Sequence, residues 1–447
     1  MHIDFLLKVF EEAGDHEALI WKDQPYTYTW LLARIAEWRD EICRQSVPPG
    51  AVTVLEGDFS PNAVALFLAL VESGCILVPL TPSVAAQKQE FMEIAQAEFT
   101  FVATGGDSLE LRRLGRSADH PIFQTLRQKN HPGLVLFSSG STGKSKGAVH
   151  DLSHLLKKFR TRRHNLRTLT FLLFDHIGGL DTLFYSLSNG SCVITVEDRS
   201  PDAVCRAVER FNVEVLPVTP TFLNLLILSE SFQRFSLASL KYITYGTEVM
   251  PESTLKRCAE LFPQVTLLQK YGTTEVGTLR SKSKSSDSLW VKVGGEGYQT
   301  RVVDGILQIK AESAMVGYLN APSPFTEDGW FITGDAVEVD GEYLRFLGRK
   351  TEIINVGGEK VYPAEVESIV QSVPNVSEVT VYGEKNPLVG NIVCAKVTLQ
   401  EPEDPKQFAV RLKKFCRERL QSYKVPVKVA VVETKQHTER FKKARRA

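Results

Sequence analysis

Several features that mark other protein classes are missing from this chain. It has no Cys-x-x-Cys pair: its seven cysteines, at 43, 75, 192, 205, 258, 394 and 416, are scattered and odd in number. Neither a disulfide framework nor a zinc site is indicated by the sequence, and this leads us to expect a reducing compartment, the cytoplasm. It has no net charge, with 53 Lys plus Arg against 53 Asp plus Glu, so no broad electrostatic footprint for nucleic acid is present. No apolar run reaches the ~20 residues of a membrane-spanning helix. The opening MHIDFLLKVFEEAGDHEALI lacks a basic n-region and a small-residue cleavage site. Instead, Phe5, Leu6, Val9 and Phe10 recur at helical spacing, which predicts an amphipathic first helix in a soluble protein. Gly-x-Ser-x-Gly and His-Glu-x-x-His are absent, which removes two common hydrolytic constellations. No internal repeat is visible, and the one low-complexity piece, SKSKSSDS at 281–288, reads as a mobile surface loop.

What is there has a clear texture. At 447 residues the chain exceeds the size at which a single core keeps growing, so two or more domains are expected. From about 26 to 240, short apolar runs such as CILVPL, SCVITV and VEVLPV alternate with helical patterns such as NAVALFLALVESG and PDAVCRAVERF. Strands interleaved with helices imply crossover units around largely parallel sheets. After 290, TRVVDGILQIKAE and WFITGDAVEVDGEYLRFLG carry Asp-Gly punctuation and read as hairpins of a small antiparallel region. Residues 352–447 supply two helices and at least two strands, enough for a compact α+β domain. The expected fold class is α/β: two layered α/β subdomains and a small β-barrel-like subdomain in residues 1–349, then a small α+β domain in 350–447.

The stretch LVLFSSGSTGKSKGAVH, 134–150, places glycines, hydroxyls and two lysines directly after an apolar run. Exposed backbone N–H groups and the charges of Lys144 and Lys146 suit a phosphate. The Walker A pattern needs four residues between its first glycine and its Gly-Lys pair, and only two separate Gly140 from Gly143 here. This is a phosphate loop of another kind.

Five further stretches follow it in order: YITYGTEVMP (242–251), KYGTTEVG (270–277), WFITGD (330–335), GRKTEIINVGGEKVYPAEVE (348–367) and TERFKKARR (438–446). Together the six resemble the adenylate-forming superfamily, which includes acyl-CoA and aryl-CoA ligases and the adenylation domains of peptide synthetases. The resemblance spans nearly the whole chain. It implies that a carboxylate and ATP give acyl-AMP and pyrophosphate, and that the acyl group then passes to a thiol. On this resemblance Ser138, Ser139, Gly140, Ser141, Thr142 and Gly143 wrap the β- and γ-phosphates and Lys146 neutralises them. Thr274 holds the α-phosphate and Glu275 binds Mg²⁺, with Gly272 and Thr273 beside them. Gly246, Thr247 and Glu248 frame adenine, on which Tyr271 stacks. Asp335 takes both ribose hydroxyls, assisted by Arg349. Gly357 and Gly358 line a tunnel for the pantetheine arm of CoA or of carrier-protein phosphopantetheine once the C-terminal domain rotates. Lys442 is the catalytic lysine.

Three positions depart from the family pattern. Ser145 stands where proline usually precedes the loop lysine, Thr351 stands at the usual Asp/Lys pivot, and Phe441 replaces the glycine before the catalytic lysine. These departures keep a non-catalytic nucleotide-binding relative in view. A phosphotransferase using residues 137–147 is a further alternative, with ADP as product. For the acid, His176 and Gly190 match the gate spacing of acyl-CoA ligases, whereas Phe174-Asp175 mimics the pair that binds an α-ammonium in amino-acid-activating enzymes. The first alignment, an acid without an α-ammonium, needs no insertion. The basic run KKFRTRRHNLR, 157–167, is open to two readings: contact with CoA phosphates or an acidic acyl carrier protein, or a solvated helix face.

Overall fold

The computed structural model describes residues 2–139 and 144–443, with only the backbone of Ser139. The first helix, Asp4–Ala13, buries Leu6, Val9 and Phe10 as its periodicity requires. Two seven-stranded sheets follow. One runs in the order Thr266–Gln269, Tyr242–Tyr245, Val215–Val218, Thr168–Thr170, Val193–Thr195, Glu17–Trp21, Gln24–Thr27, parallel except at its last pair. The other contains the parallel strands Ile76–Leu80, Val52–Glu56 and Phe99–Gly105, extended at one side by the antiparallel pair Gly133–Ser139 and Ser145–Asp151.

Helix Pro61–Glu72 belongs to the core between these layers. Ser60 caps it by accepting from the Ala63 N–H at 3.2 Å, Pro61 takes the first position, and every residue but Asn62 is buried. Each fully buried Leu or Phe in it contributes about 1.5–3 kcal/mol of apolar burial. A six-stranded antiparallel sheet contains both expected hairpins, Tyr298–Val303 with Ile306–Ala311 and Phe331–Asp340 with Tyr343–Arg349. Beyond it, helices Pro363–Gln371 and Pro405–Arg417 pack with strands Val376–Asn386 and Gly390–Leu399. No helix among the described residues is long and apolar enough to cross a membrane.

Two local expectations change. The piece at 281–288 is not simply a loop: Arg280–Ser283 is a strand paired with Val291–Gly294. Its serines have a use there, because Ser283 Oγ accepts from the Gln269 N–H at 2.9 Å and Ser281 Oγ from that of Tyr271 at 3.3 Å. The run at 157–167 is not a helix face: it opens with a single turn, Lys157–Phe159, and continues as irregular chain. Lys158 pairs with Asp181, Arg162 with Glu12 and Arg167 with Glu17, so these charges are already matched within the fold.

Candidate active site

Four loops leave the carboxyl ends of adjacent parallel strands and converge: Thr219 after Val215–Val218, Gly246 after Tyr242–Tyr245, Tyr271 after Thr266–Gln269, and the turn at 171–176 after Thr168–Thr170. Crevices at strand carboxyl ends are where open α/β sheets bind ligands. Into this one comes the end of the chain.

Residues 436–443 are docked by contacts along their whole length. Glu378 accepts from the Gln436 N–H at 2.9 Å and pairs with His437. Thr219 Oγ1 donates to the Phe441 carbonyl at 2.8 Å. Glu248 accepts from the Lys443 N–H at 2.5 Å and from Thr221 Oγ1 at 2.7 Å, and Lys443 Nζ meets the buried Glu367 at 2.8 Å. Arg440 donates to Asp175 Oδ2 at 2.7 Å and to Ser83 Oγ at 2.9 Å. Phe441 has φ +52°, the left-handed region that explains a glycine in this place, and its ring lies between Phe171 and Phe222 with centroids at 5.1 and 5.7 Å. The strain of a non-glycine there, about 1–2 kcal/mol, is offset by aromatic contacts of about 0.5–1.5 kcal/mol each.

Lys442 is thereby delivered to His176, Nζ to Nε2 at 3.3 Å. The His176 Nδ1 accepts from the Gly178 N–H at 3.0 Å, capping helix Ile177–Ser188, which puts the ring hydrogen of the neutral imidazole on Nε2. Burial, followed by the charges of Lys442 and Arg440, holds this histidine neutral well below its ordinary range. Burial also pushes Lys442 down to about 8, against the attraction of Glu248 and with help from Arg440 and Arg349. Two N–H donors therefore meet in a partly covered crevice. The group that satisfies both is an anion. The close turn depends on Gly179, where a Cβ would lie 2.0 Å from the Leu173 carbonyl oxygen.

Asp335 and Arg349, fourteen residues apart, are cross-strand partners in their hairpin, and Arg349 Nε lies 3.1 Å from Asp335 Oδ1. Tyr271 donates its hydroxyl to Asp335 Oδ2 at 2.6 Å, and one face of its ring stacks on Phe346 at 4.5 Å. Burial raises the Asp335 carboxyl despite Arg349 and Tyr271. Glu275 accepts from the Tyr318 hydroxyl at 2.6 Å, and Lys146 Nζ lies 5.2 Å from the centre of the Tyr318 ring, so Tyr318 joins the loop lysine to this carboxylate. Thr273 Oγ1 accepts from the Glu275 N–H at 3.3 Å, and the Thr274 carbonyl accepts from the neutral, buried His150 at 2.6 Å. Gly272 fits where a Cβ would lie 2.8 Å from the Gly277 carbonyl oxygen. Thr247 has φ +71° beside Gly246. Ser138 pairs across the hairpin with Lys146. Gly140, Ser141, Thr142 and Gly143 lie outside the described residues. Gly357 and Gly358, φ +59° and +92°, form an exposed hairpin turn between Ile354–Val356 and Glu359–Val361, and do not join this group.

The sequence profile of the AMP-binding enzyme family matches residues 7–304, and that of the AMP-binding enzyme C-terminal domain matches 365–442. The chain belongs to the AMP-binding enzyme family. Among its relatives, the long-chain-fatty-acid–CoA ligase FadD13 of Mycobacterium tuberculosis (strain CDC 1551 / Oshkosh) is 28% identical over 86% of each chain. The 2-succinylbenzoate–CoA ligase of Bacillus subtilis (strain 168) is 26% identical over 96% of this chain and 94% of its own. In fold, the chain is similar to the o-succinylbenzoate CoA synthetase MenE of Bacillus subtilis in complex with its acyl-adenylate intermediate, with a TM-score of 0.80, 24% identity and coverage of 99% and 97%. Arg440, Tyr318, Thr221 and Phe346 of this AMP-binding enzyme escaped the sequence reading. Arg440 lies inside a recognised stretch and was passed over because its partner is 265 residues away.

Proposed function

We propose that this AMP-binding enzyme is an ATP-dependent acid–thiol ligase of the AMP-forming kind. The observation that carries the reading is the part-buried meeting of Lys442 and His176, two donors 3.3 Å apart within electrostatic reach of Arg440 and, for Lys442, Arg349. A carboxylate oxygen attacks the α-phosphorus, the bond to pyrophosphate breaks, and acyl-AMP forms. A thiol then attacks the acyl carbonyl, losing its proton, and AMP leaves. Two anions must be brought together in the first step, and cationic donors already fixed in place offset that repulsion with little solvent reorganisation. Asp335 and Arg349 would hold the ribose, and Glu248 with Thr247 and Gly246 would border the base. Mg²⁺, a hard cation suited to carboxylate and phosphate oxygens, would be held by Glu275 and would neutralise phosphate charge.

The acid is one without an α-ammonium. Asp175, the carboxylate that would receive an ammonium, is engaged by Arg440 and by Thr81 Oγ1 at 2.9 Å. Residues 1–349 are read as the ATP- and acid-binding unit and 350–447 as a unit that withdraws Lys442 and presents Gly357-Gly358 to CoA, with a carrier protein as the second acceptor. The setting is the cytoplasm. Pyrophosphate release over a panel of long-chain fatty, arylacetic and succinylbenzoic acids tests the reading, with AMP as the co-product and acyl-CoA detected by mass spectrometry. ADP as product, or no acid dependence with any of them, overturns it.

A further inference from the structure

At the opposite end of the hairpin that brackets residues 140–143, three ligating side chains meet. The strands Gly133–Ser139 and Ser145–Asp151 pair from Ser139↔Ser145 at one end to Gly133↔Asp151 at the other, six residues or about 20 Å away. There, His131, Asp151 and His154 each offer one donor atom within 4.8 Å of the others. From this arrangement we propose a binding site for a borderline divalent metal ion, of which zinc is the best fit, distinct from the ATP site and structural in role.

The backbone sets the positions before any ion arrives. Leu152 N–H donates to the Pro132 carbonyl at 2.9 Å, tying the two turns together. Asp151 is 4% exposed, and its Oδ1 accepts from the Ser153 N–H at 3.0 Å, which turns Oδ2 to His131 Nδ1 at 2.7 Å. His154, three residues on in the short helix that Asp151 caps, stands over the same point, its ring 6.1 Å from that of His131 and inclined at 61°. The two rings do not stack. Bonds of about 2.0–2.2 Å in tetrahedral array place ligand atoms about 3.3–3.5 Å apart, and the present separations, 2.7 to at most 4.8 Å, bracket that value. Small side-chain rotations close the site. An oxygen of a buried carboxylate already fixed by a backbone N–H is the kind of outer support that ligands need. Two imidazoles and one carboxylate select Zn, Ni or Cu over Mg²⁺, so this site and Glu275 do not compete for one ion.

The test is calorimetric titration of ZnCl₂ into tag-free, chelator-stripped protein in excess Mg²⁺, together with Co²⁺ absorption spectroscopy. Expected are one equivalent bound with micromolar or tighter affinity, a raised thermal midpoint, and visible Co²⁺ bands of a low-coordinate N/O site. His154→Ala and His131→Ala each weaken binding at least ~100-fold, while His154→Ala without zinc keeps the acid-dependent pyrophosphate release of the parent. No saturable uptake of zinc below ~100 µM overturns the proposal, and so does uptake unchanged by both substitutions. If His131→Ala does not fold, the half-buried His154→Ala and the Co²⁺ spectrum of the unaltered chain decide.

Discussion

The proposed role of Lys442 requires a proton on its amine, yet its surroundings hold it at about 8. For a group that starts near 10.5, that displacement corresponds to about 3 kcal/mol against the charged form in the docked, ligand-free state. Because kcat/KM reports the free enzyme, the adenylation kcat/KM should fall above pH 8, reaching about one-tenth of its plateau at pH 9. Bound triphosphate supplies the missing counter-charge, so the alkaline limb of kcat should lie higher. The linkage sign is opposite for docking itself. The docked lysine binds fewer protons than the free one, so the cost of docking is fully present below pH 8 and is relieved as the pH rises through 8 to 10.5. Single-turnover pyrophosphate release between pH 6.5 and 10 measures the first effect. Lys442→Ala should lose at least ~100-fold in acyl-AMP formation and all of the alkaline limb, yet transfer preformed acyl-AMP to CoA at near the parent rate. Arg440→Met, which removes a neighbouring positive charge, should move the limb to higher pH. A flat kcat/KM from pH 7 to 9.5, or a limb that persists unchanged in Lys442→Ala, would refute the reasoning.

Phe441→Ala keeps the left-handed strain and loses the rings of Phe171 and Phe222, whereas Phe441→Gly loses the rings and the strain together. The glycine variant should therefore adenylate about fivefold faster than the alanine one, as ~1 kcal/mol of strain implies, in the same pyrophosphate assay. Lys443→Ala leaves Lys442 in place but breaks the contact with buried Glu367. It should lower the thermal midpoint by several degrees, read by calorimetry, while costing adenylation far less than Lys442→Ala. Asp335→Ala removes the partner of Arg349 and Tyr271 and should raise the KM for ATP ~10–100-fold with a smaller change in kcat, measured at saturating acid.

Asp335 and Arg349 were legible from the family motifs and their fourteen-residue interval, which is one hairpin; what the interval alone does not give is the one-residue register shift between Ala336 and Val337 that brings Arg349, rather than Gly348, opposite Asp335. Lys442 was legible from Thr438, and the Thr438 N–H donates to the Lys442 carbonyl at 2.8 Å, closing the turn that the motif encodes. Phe441 looked like a defect in the motif, but the sequence holds no sign that Phe171 and Phe222, more than 200 residues earlier, provide a slot for its ring. Tyr318 and Arg440 were missed for a similar reason: each acts through contacts with residues far away in the chain, and neither periodicity nor spacing encodes such contacts. The serines of 281–288 misled because a polar, small-residue composition fits a loop and an edge strand equally well until the neighbouring backbone N–H groups are known.

If the proposed unit 350–447 withdraws Lys442, the bond between Arg440 and Asp175 gives the docked and withdrawn positions of residues 437–443 different protonation. Asp175 is 93% buried, its Oδ1 has no hydrogen-bond partner among the described residues, and burial raises its carboxyl even with the guanidinium present. When residues 437–443 withdraw, Thr81 alone remains to this carboxylate, with the negative Asp58 nearby. A carboxylate that loses its neighbouring cation loses the charge that held its proton affinity down, so Asp175 takes up a proton more readily. Lys442, released into water, also returns to its full charge. Both groups bind protons as the end of the chain swings out, so the swing draws hydrogen ions from the solvent, and acidification should bias the enzyme toward the arrangement in which the thiol is used.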